Sequence, residues 1–258
     1  MTAGGSVGIG QNTGANDNTL TVQNGGEFEI TGTGSTLLYL GGQFSSSPGD
    51  GNAILVTGAD SKLITAGNLV RVGFGAGSEN TITVSDGGAL TATNANLLIG
   101  DTSGSSTDNA VNINGSSISV ASVDNWNAVN LNSGELTVTG TFTQRQSGRS
   151  SVNFFGGTMT LGGSLFDGDE TLVVGDGNTS ETATLRLSGG THDFGDGLTL
   201  SNDGRLSGNG TISSTVTTSA TSIISPGSDV ETGLLTLTGA LNISDGSEYH
   251  FLFGEDME

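Results

Sequence analysis

One phrase recurs down this chain, and a chain that repeats itself at a fixed offset is confined to a small set of folds. It reads "NTLTVQNGGEFEITGTGSTLLYLG" from Asn18, "NAILVTGADSKLITAGNLVRVG" from Asn52 and "NTITVSDGGALTATNANLLIG" from Asn80, with a weaker copy, "NAVNINGSSISVAS", from Asn109. The openings lie 34, 28 and 29 residues apart by subtraction of those residue numbers. Units of this length cannot bury an apolar face alone and must stack as a solenoid, a propeller or an array.

Within a copy the apolar residues alternate in short runs: Leu20 and Val22, then Phe28 and Ile30, then Leu38 and Leu40. Period two is the signature of a strand, and no stretch carries apolar residues at helical spacing over three turns. Aligned first strands read "TLTV", "AILV", "TITV", "AVNI", "AVNL" at Ala128, "SVNF" at Ser151 and "TLRL" at Thr184. Their second and fourth positions form apolar ladders: Leu20/Val22, Ile54/Val56, Ile82/Val84, Val111/Ile113, Val129/Leu131, Val152/Phe154 and, in the last, Leu185/Leu187. A one-residue slip would expose a whole ladder, so the pattern sets the register. Gly-Gly pairs beginning at Gly25, Gly87, Gly156 and Gly189 supply the positive φ of tight corners, and "QFSSSPGDGN" and "DTSGSSTDN" read as extensible loops. Propeller blades need four antiparallel strands per ~40–50 residues, more than these units hold.

The expected fold is therefore all-β: a right-handed parallel β-helix, or β-solenoid, with two or three short strands per coil and roughly nine or ten coils at ~4.8 Å each. Residues 1–258 are read as one elongated solenoid, with regular repeats over 1–125, less regular coils over 126–203, and C-terminal rungs and a cap over 204–258.

Charge excludes one class of partner. With 26 acidic and 6 basic side chains the formal charge is −20, and a field of that sign repels nucleic acid and anionic bilayers. The absence of cysteine rules out disulfides and thiolate metal sites. No run approaches the ~20 apolar residues of a membrane span. The opening "MTAGGSVGIG" has no basic start or apolar core and already looks like the end of a repeat, so an export signal is expected outside this chain.

Residues 18–122, with the tail "GRLSGNGTISSTVTTSATSIISPGSDVETGLLTLTGALNISDGSEYHFLF" from Gly204 to Phe253, resemble the passenger region of bacterial autotransporters and related surface β-helix proteins. The matching motifs are the "G-x-L-x-G-x-G-T-I" step at Gly204 to Ile212, Pro226-Gly227, the "G-x-L-x-L-x-G-x-L" rung at Gly233 to Leu241, and the ending at Gly246 to Phe251. The resemblance implies a β-helix exported to the bacterial surface. It does not imply an activity, because such folds carry adhesins, enzymes and scaffolds alike.

Two segments hold the residues a polysaccharide-cleaving enzyme would need. "FDGDE" offers Asp167, Asp169 and Glu170, and "THDFGDG" joins His192 to Asp193 and Asp196. Glycoside hydrolysis requires two carboxylates facing across a groove. Asp beside Gly is also ordinary turn chemistry, and His192 reads as a solvated loop residue. Arg145 and Arg149 in "TQRQSGRSS" form the one basic pair, in what reads as an exposed loop. Trp126 is expected to plug a wider turn, and the apolar "YHFLFG" from Tyr249 to cap the last coil. "GDGNTSE" at Gly175 and "DGDE" offer oxygen ligands without an EF-hand or "GGxGxD" pattern, so at most weak calcium binding is expected. An ice-binding face would use Thr19/Thr21 and Thr81/Thr83, but Ala53/Leu55 and Ala110/Asn112 interrupt it.

The expectation is a non-catalytic, secreted or surface-exposed structural or adhesive β-helix, with no assigned catalytic, cofactor or metal residues. Expected partners are further copies joined end to end and a surface glycan or protein met by the loops. A polysaccharide-processing enzyme and an ice-binding solenoid are the alternatives.

Overall fold

The computed structural model describes residues 1–34, 37–42, 49–101, 105–145, 148–167, 170–178, 181–228 and 230–252. Among these every regular element is a β-strand, and every strand-to-strand ladder is parallel. Successive coils lie in register and form a β-solenoid with three faces.

The first face is a ten-stranded sheet that begins with Thr19–Gln23, Ala53–Thr57, Thr81–Ser85, Ala110–Asn114, Ala128–Leu131 and Ser151–Phe154. It continues through Thr171–Val174, Gly197–Leu200 and Val216–Thr218 to Leu241–Asn242. At about 4.8 Å per rung it spans roughly 45 Å. The expected ladder runs down its inner side, with Ile54, Val56, Ile82, Val84, Val111 and Ile113 all fully buried. One rung was misassigned: "TLRL" belongs to Ala183–Asp193, a strand of the other sheet, where Leu185 and Leu187 pair with Met159 and Leu161. The rung after Val152/Phe154 is instead Leu172/Val174. Both faces turn alternate apolar residues inward, so alternation alone cannot tell one face from another.

The second and third faces form one fifteen-stranded sheet bent along its length. Early coils use two separate strands here, as in Lys62–Thr65 and Leu69–Val72. From Ala89 to Ile212 a single strand of nine to eleven residues turns the corner, as in Ala89–Ile99, Ser116–Asn125, Gly134–Gln144 and Gly157–Phe166, before separate short strands return in the last coils. Each of these has a register shift at its bend, for example between Ala92 and Asn96. The extra residue of such a bulge concentrates the twist that a corner needs.

Coil length varies where loops join the third face back to the first. The first four openings remain 34, 28 and 29 residues apart, but the next, from Asn109 to Asn127, comes after only 18. Trp126 sits half-buried at this shortened corner, where its amide donates to the Ile99 carbonyl at 2.8 Å. The corner glycines act as expected at Gly25 (φ 72°) and Gly87 (φ 83°), while at Gly156-Gly157 the second residue takes the positive φ of 83°.

Candidate functional site

The asparagines that open the copies are the residues most altered in meaning by the fold. Asn52, Asn80 and Asn109 are fully buried, and with Asn18 and Asn127 they form a column down the corner where each coil enters the first face. The Asn80 Oδ1 accepts both the backbone N–H of Asn52 (3.1 Å) and its Nδ2 (3.0 Å). Its own Nδ2 donates to Asn109 Oδ1 (3.1 Å) and to the carbonyls of Gly49 and Ser78 (both 3.0 Å). Every step from Asn18 to Asn109 repeats the paired acceptance, and Asn109 Nδ2 extends the column to Asn127 Oδ1 at 2.8 Å. An amide carries two donors and a two-lone-pair acceptor, so it can bond upward, downward and sideways at once. Neither Ser nor Asp offers that combination.

Residues immediately before the column share a left-handed backbone: Asp17 (φ 56°), Gly51 (65°), Glu79 (60°) and Asp108 (58°). Their amides stack as well, with Asp17, Gly51 and Glu79 donating to the carbonyls of Asp50, Ser78 and Thr107 at 3.0–3.1 Å. A second, shallower ladder lies outside the first face, where Asn130 and Asn153 each donate at 2.7 Å to the Asn of the coil before. The asparagines of both ladders are thus committed to joining coil to coil.

The acid-rich segments were the sequence's catalytic candidates. Register does bring them onto neighbouring coils: Leu165 pairs with Asp193, and the Asp196 amide donates to the Glu170 carbonyl at 3.1 Å. Three of their carboxylates nevertheless have separate engagements. Asp167 Oδ2 lies 3.5 Å from Arg145 Nη1, Glu170 Oε1 accepts the Gly148 amide (2.9 Å), and Asp193 Oδ1 accepts the Gly195 amide of its own turn (3.1 Å). Asp169 lies outside the described residues.

Arg145 is not a loose loop residue. Its Nε lies 2.7 Å from Asp124 Oδ1, and its guanidinium stands 5.8 Å from the centre of the Trp126 ring. The hydrogen bond to Asp124 raises its pKa above the ordinary arginine value, ahead of the smaller opposing effect of burial. Both partners of that ion pair remain about a quarter to a third exposed (26% and 34%), so its contribution is at most about 1 kcal/mol. Arg149 Nη2 donates to the Ser106 carbonyl at 3.0 Å, tying its loop to an earlier coil.

His192 overturns its sequence reading most fully: it is completely buried, not solvated. It occupies an inward column between Ser164 and Ile212, with its ring stacked on Phe194 at 6.0 Å. Nε2 donates to the Gly189 carbonyl (2.7 Å), which leaves Nδ1 to accept from the Ser164 hydroxyl (3.2 Å). In the same interior Phe142 stacks on Phe166, which meets Phe194 edge to face. Burial pushes the His192 pKa below the ordinary histidine value, against a smaller opposing effect of the Gly189 hydrogen bond.

A depressed histidine binds protons less readily folded than unfolded. Its contribution to stability is therefore complete above the unfolded pKa of about 6.5 and is lost as pH falls below it. The urea midpoint should drop between about pH 7 and pH 5, and His192→Asn should flatten that slope even though it lowers stability at pH 7. An unchanged slope in the variant would assign the pH dependence to other groups.

Of the oxygen ligands in "GDGNTSE", Asp176 Oδ1 accepts the Asn178 amide of its own turn at 2.7 Å, and the loop is held to the next coil by the buried Asp203, which accepts the Gly177 amide at 2.9 Å. Among the described residues no three His, Cys, Asp or Glu side chains converge as a metal-binding group. Four surface clefts have volumes of about 200, 210, 220 and 280 Å³, smaller than the ~300–1,000 Å³ typical of small-molecule sites.

Comparison with protein-family models, curated proteins and solved structures finds no match to this chain. Functional inference therefore rests on its own residues.

Proposed function

We propose that this chain is a non-catalytic structural or adhesive solenoid, a rigid rod displayed outside the cell on the lines of an autotransporter passenger. One observation carries the reading: asparagine side chains bond coil to coil in a continuous column from Asn18 to Asn127, buried from Asn52 onward. A polar group inside a protein is costly unless fully hydrogen-bonded, and here its use is to fix the stacking register and stiffen the rod. Contacts with a surface glycan or protein would fall to the loops of the corner between the third and first faces, spread over several coils.

The acidity of the chain suits an extended object that must stay soluble. The surface localisation draws on the passenger-like motifs from Gly204 to Phe251. Adjacency of "FDGDE" and "THDFGDG" is the one feature that favours the enzymatic alternative.

The test is incubation with neutral and uronate-containing polysaccharides, scored for new reducing ends and unsaturated uronates, alongside retention on immobilised glycans and cell-surface extracts. Retention without turnover is the expected result. Turnover abolished by Asp167→Asn or Asp196→Asn would replace the structural reading with the enzymatic one.

A further inference from the structure

Basic residues are scarce in this chain, and two of them meet. Of 6 against 26 acidic side chains, Arg186 and Arg205 stand on neighbouring coils of the second face. Arg186 pairs in register with Ser207, and Arg205 with Thr184, so the two lie on a diagonal, their Cα atoms about 8 Å apart by strand geometry. Both point away from the core, because the alternate residues Leu185, Leu187 and Leu206 are buried. They line one cleft of about 220 Å³ together with Thr158, Thr184, Ser207 and Ser228.

We infer that this cleft is a binding subsite for a single oxyanion group, the carboxylate or sulfate ester of an acidic sugar or the free inorganic ion. It lies on the second face, away from the corner loops to which glycan or protein contact is assigned above, and goes beyond that reading.

The donors are in place before any ligand arrives. Arg205 Nη2 donates to the Ser225 hydroxyl at 3.3 Å, which steadies the guanidinium against the sheet. Ser207 is 5% exposed and lines the cleft, and its hydroxyl has no hydrogen-bond partner among the described residues. A buried hydroxyl left without a partner is costly, and an oxyanion would supply the acceptor it lacks. Ser228 is brought over the cleft by Gly227, which exchanges backbone hydrogen bonds with Gly208 at 2.6 and 2.7 Å and bridges Thr232. The Ser228 Oγ accepts the amides of Glu231 (3.0 Å) and Val230 (3.3 Å), so what it has left to offer is its O–H. Two guanidiniums ringed by hydroxyls make a set of donors complementary to an oxyanion. No carboxylate lines the cleft among the described residues. Asp229, next to Ser228 in the sequence, lies outside them.

The surroundings restrict what can carry the group. The outward column through Arg205 runs Glu135, Thr158, Thr184, Arg205, Ile223 and Glu248. A second negative charge two coils farther along the axis, about 10 Å away, would meet Glu248. The −20 field opposes every additional charge as well. An isolated anionic group is therefore favoured over a polyanion.

The experiment is an amide NMR titration of the isotope-labelled protein with sodium sulfate, with sodium glucuronate, and with glucose as the neutral control. Saturable shifts at Ser207, Gly208 and Ser228 are expected with both anions and not with glucose. Equal affinity for the two would assign the site to the oxyanion alone, and tighter glucuronate binding would give the sugar ring a share; either supports the inference. Arg186→Gln, at an exposed position where packing is not disturbed, should weaken binding about tenfold, and adding Arg205→Gln should abolish saturation. Lys62→Gln makes the same change in net charge on an early coil and should leave the affinity as it was. Shifts that never saturate, that persist undiminished in Arg186→Gln, that fall as far in Lys62→Gln, or that glucose reproduces overturn the inference. So does a lower urea midpoint in the arginine variants with no anion binding in the parent protein, which would make the pair a clamp on the Gly227 turn. Because retention on immobilised glycans is scored separately, the adhesive reading and this one fail independently.

Discussion

Asn80→Ala is expected to destabilise the protein by about 3–5 kcal/mol, far more than its modest change in volume suggests. Alanine removes an acceptor from the Asn52 amide and side chain, and a donor from Asn109 Oδ1 and from the Gly49 and Ser78 carbonyls. Asn80 and both its neighbours in the column are fully buried, so water cannot readily replace the lost bonds. Each buried polar group left unsatisfied costs about 1–3 kcal/mol. Asn80→Asp should be no rescue, because it turns the donating amide into an acceptor facing two carbonyls. By contrast Asn130→Ala, in the part-exposed outer ladder, should cost less than about 1 kcal/mol.

Urea denaturation followed by circular dichroism measures these differences. Because each coil of a solenoid contacts mainly its neighbours, the damage should be local. Hydrogen exchange of the Asn80 variant should show protection lost first in Ala53–Thr57, Thr81–Ser85 and Ala110–Asn114. Equal loss along the whole rod would mean that the coils unfold as one unit, and a cost near that of Asn130→Ala would mean that the column is ornamental.

The contrast between the two ladders explains what was legible beforehand. Alternation such as that of Ile82 and Val84 states which side chains go inward, and a repeat at fixed offset states that the coils stack in parallel. The asparagine positions were visible as the openings of the copies, but a polar residue before a strand has the same appearance whether it forms a turn or a buried column. Only the fold separates those meanings. His192 reads as solvated because it stands between glycines and beside Asp193 and Asp196, the composition of a loop, and alternation continued from the inward Leu185 and Leu187 would not have placed it inside either. The register shift between Ser188 and Thr191 reverses that parity and turns the imidazole into the core. A bulge at the bend leaves no mark on the alternation except a pair of glycines, Gly189 and Gly190, which also serve as ordinary turn residues.

Glycines opposite the asparagine column should be as intolerant as the column itself. Gly73 follows the third-face strand Leu69–Val72, holds φ at +72°, and donates its amide to the Leu40 carbonyl at 2.8 Å. A Cβ built on it would overlap the carboxamide of the buried Asn109, as one on Gly41 would overlap that of Asn80. Gly100 repeats the arrangement at φ +78°, with its Cβ position 2.7 Å from Asn127 Oδ1. Two penalties therefore combine in Gly73→Ala: about 1–2 kcal/mol for an L-residue in the left-handed region, and the displacement of an amide that bonds to two coils. A loss of about 3–5 kcal/mol is expected. The two penalties can be separated, because Gly73→Ala made in an Asn109→Ala background relieves the clash and retains the backbone strain. There the further cost should fall to about 1–2 kcal/mol, a coupling that a double-mutant cycle reads directly. Strict additivity would show that the glycine is required for its backbone alone, and that the close approach of corner to column contributes nothing to holding successive coils together.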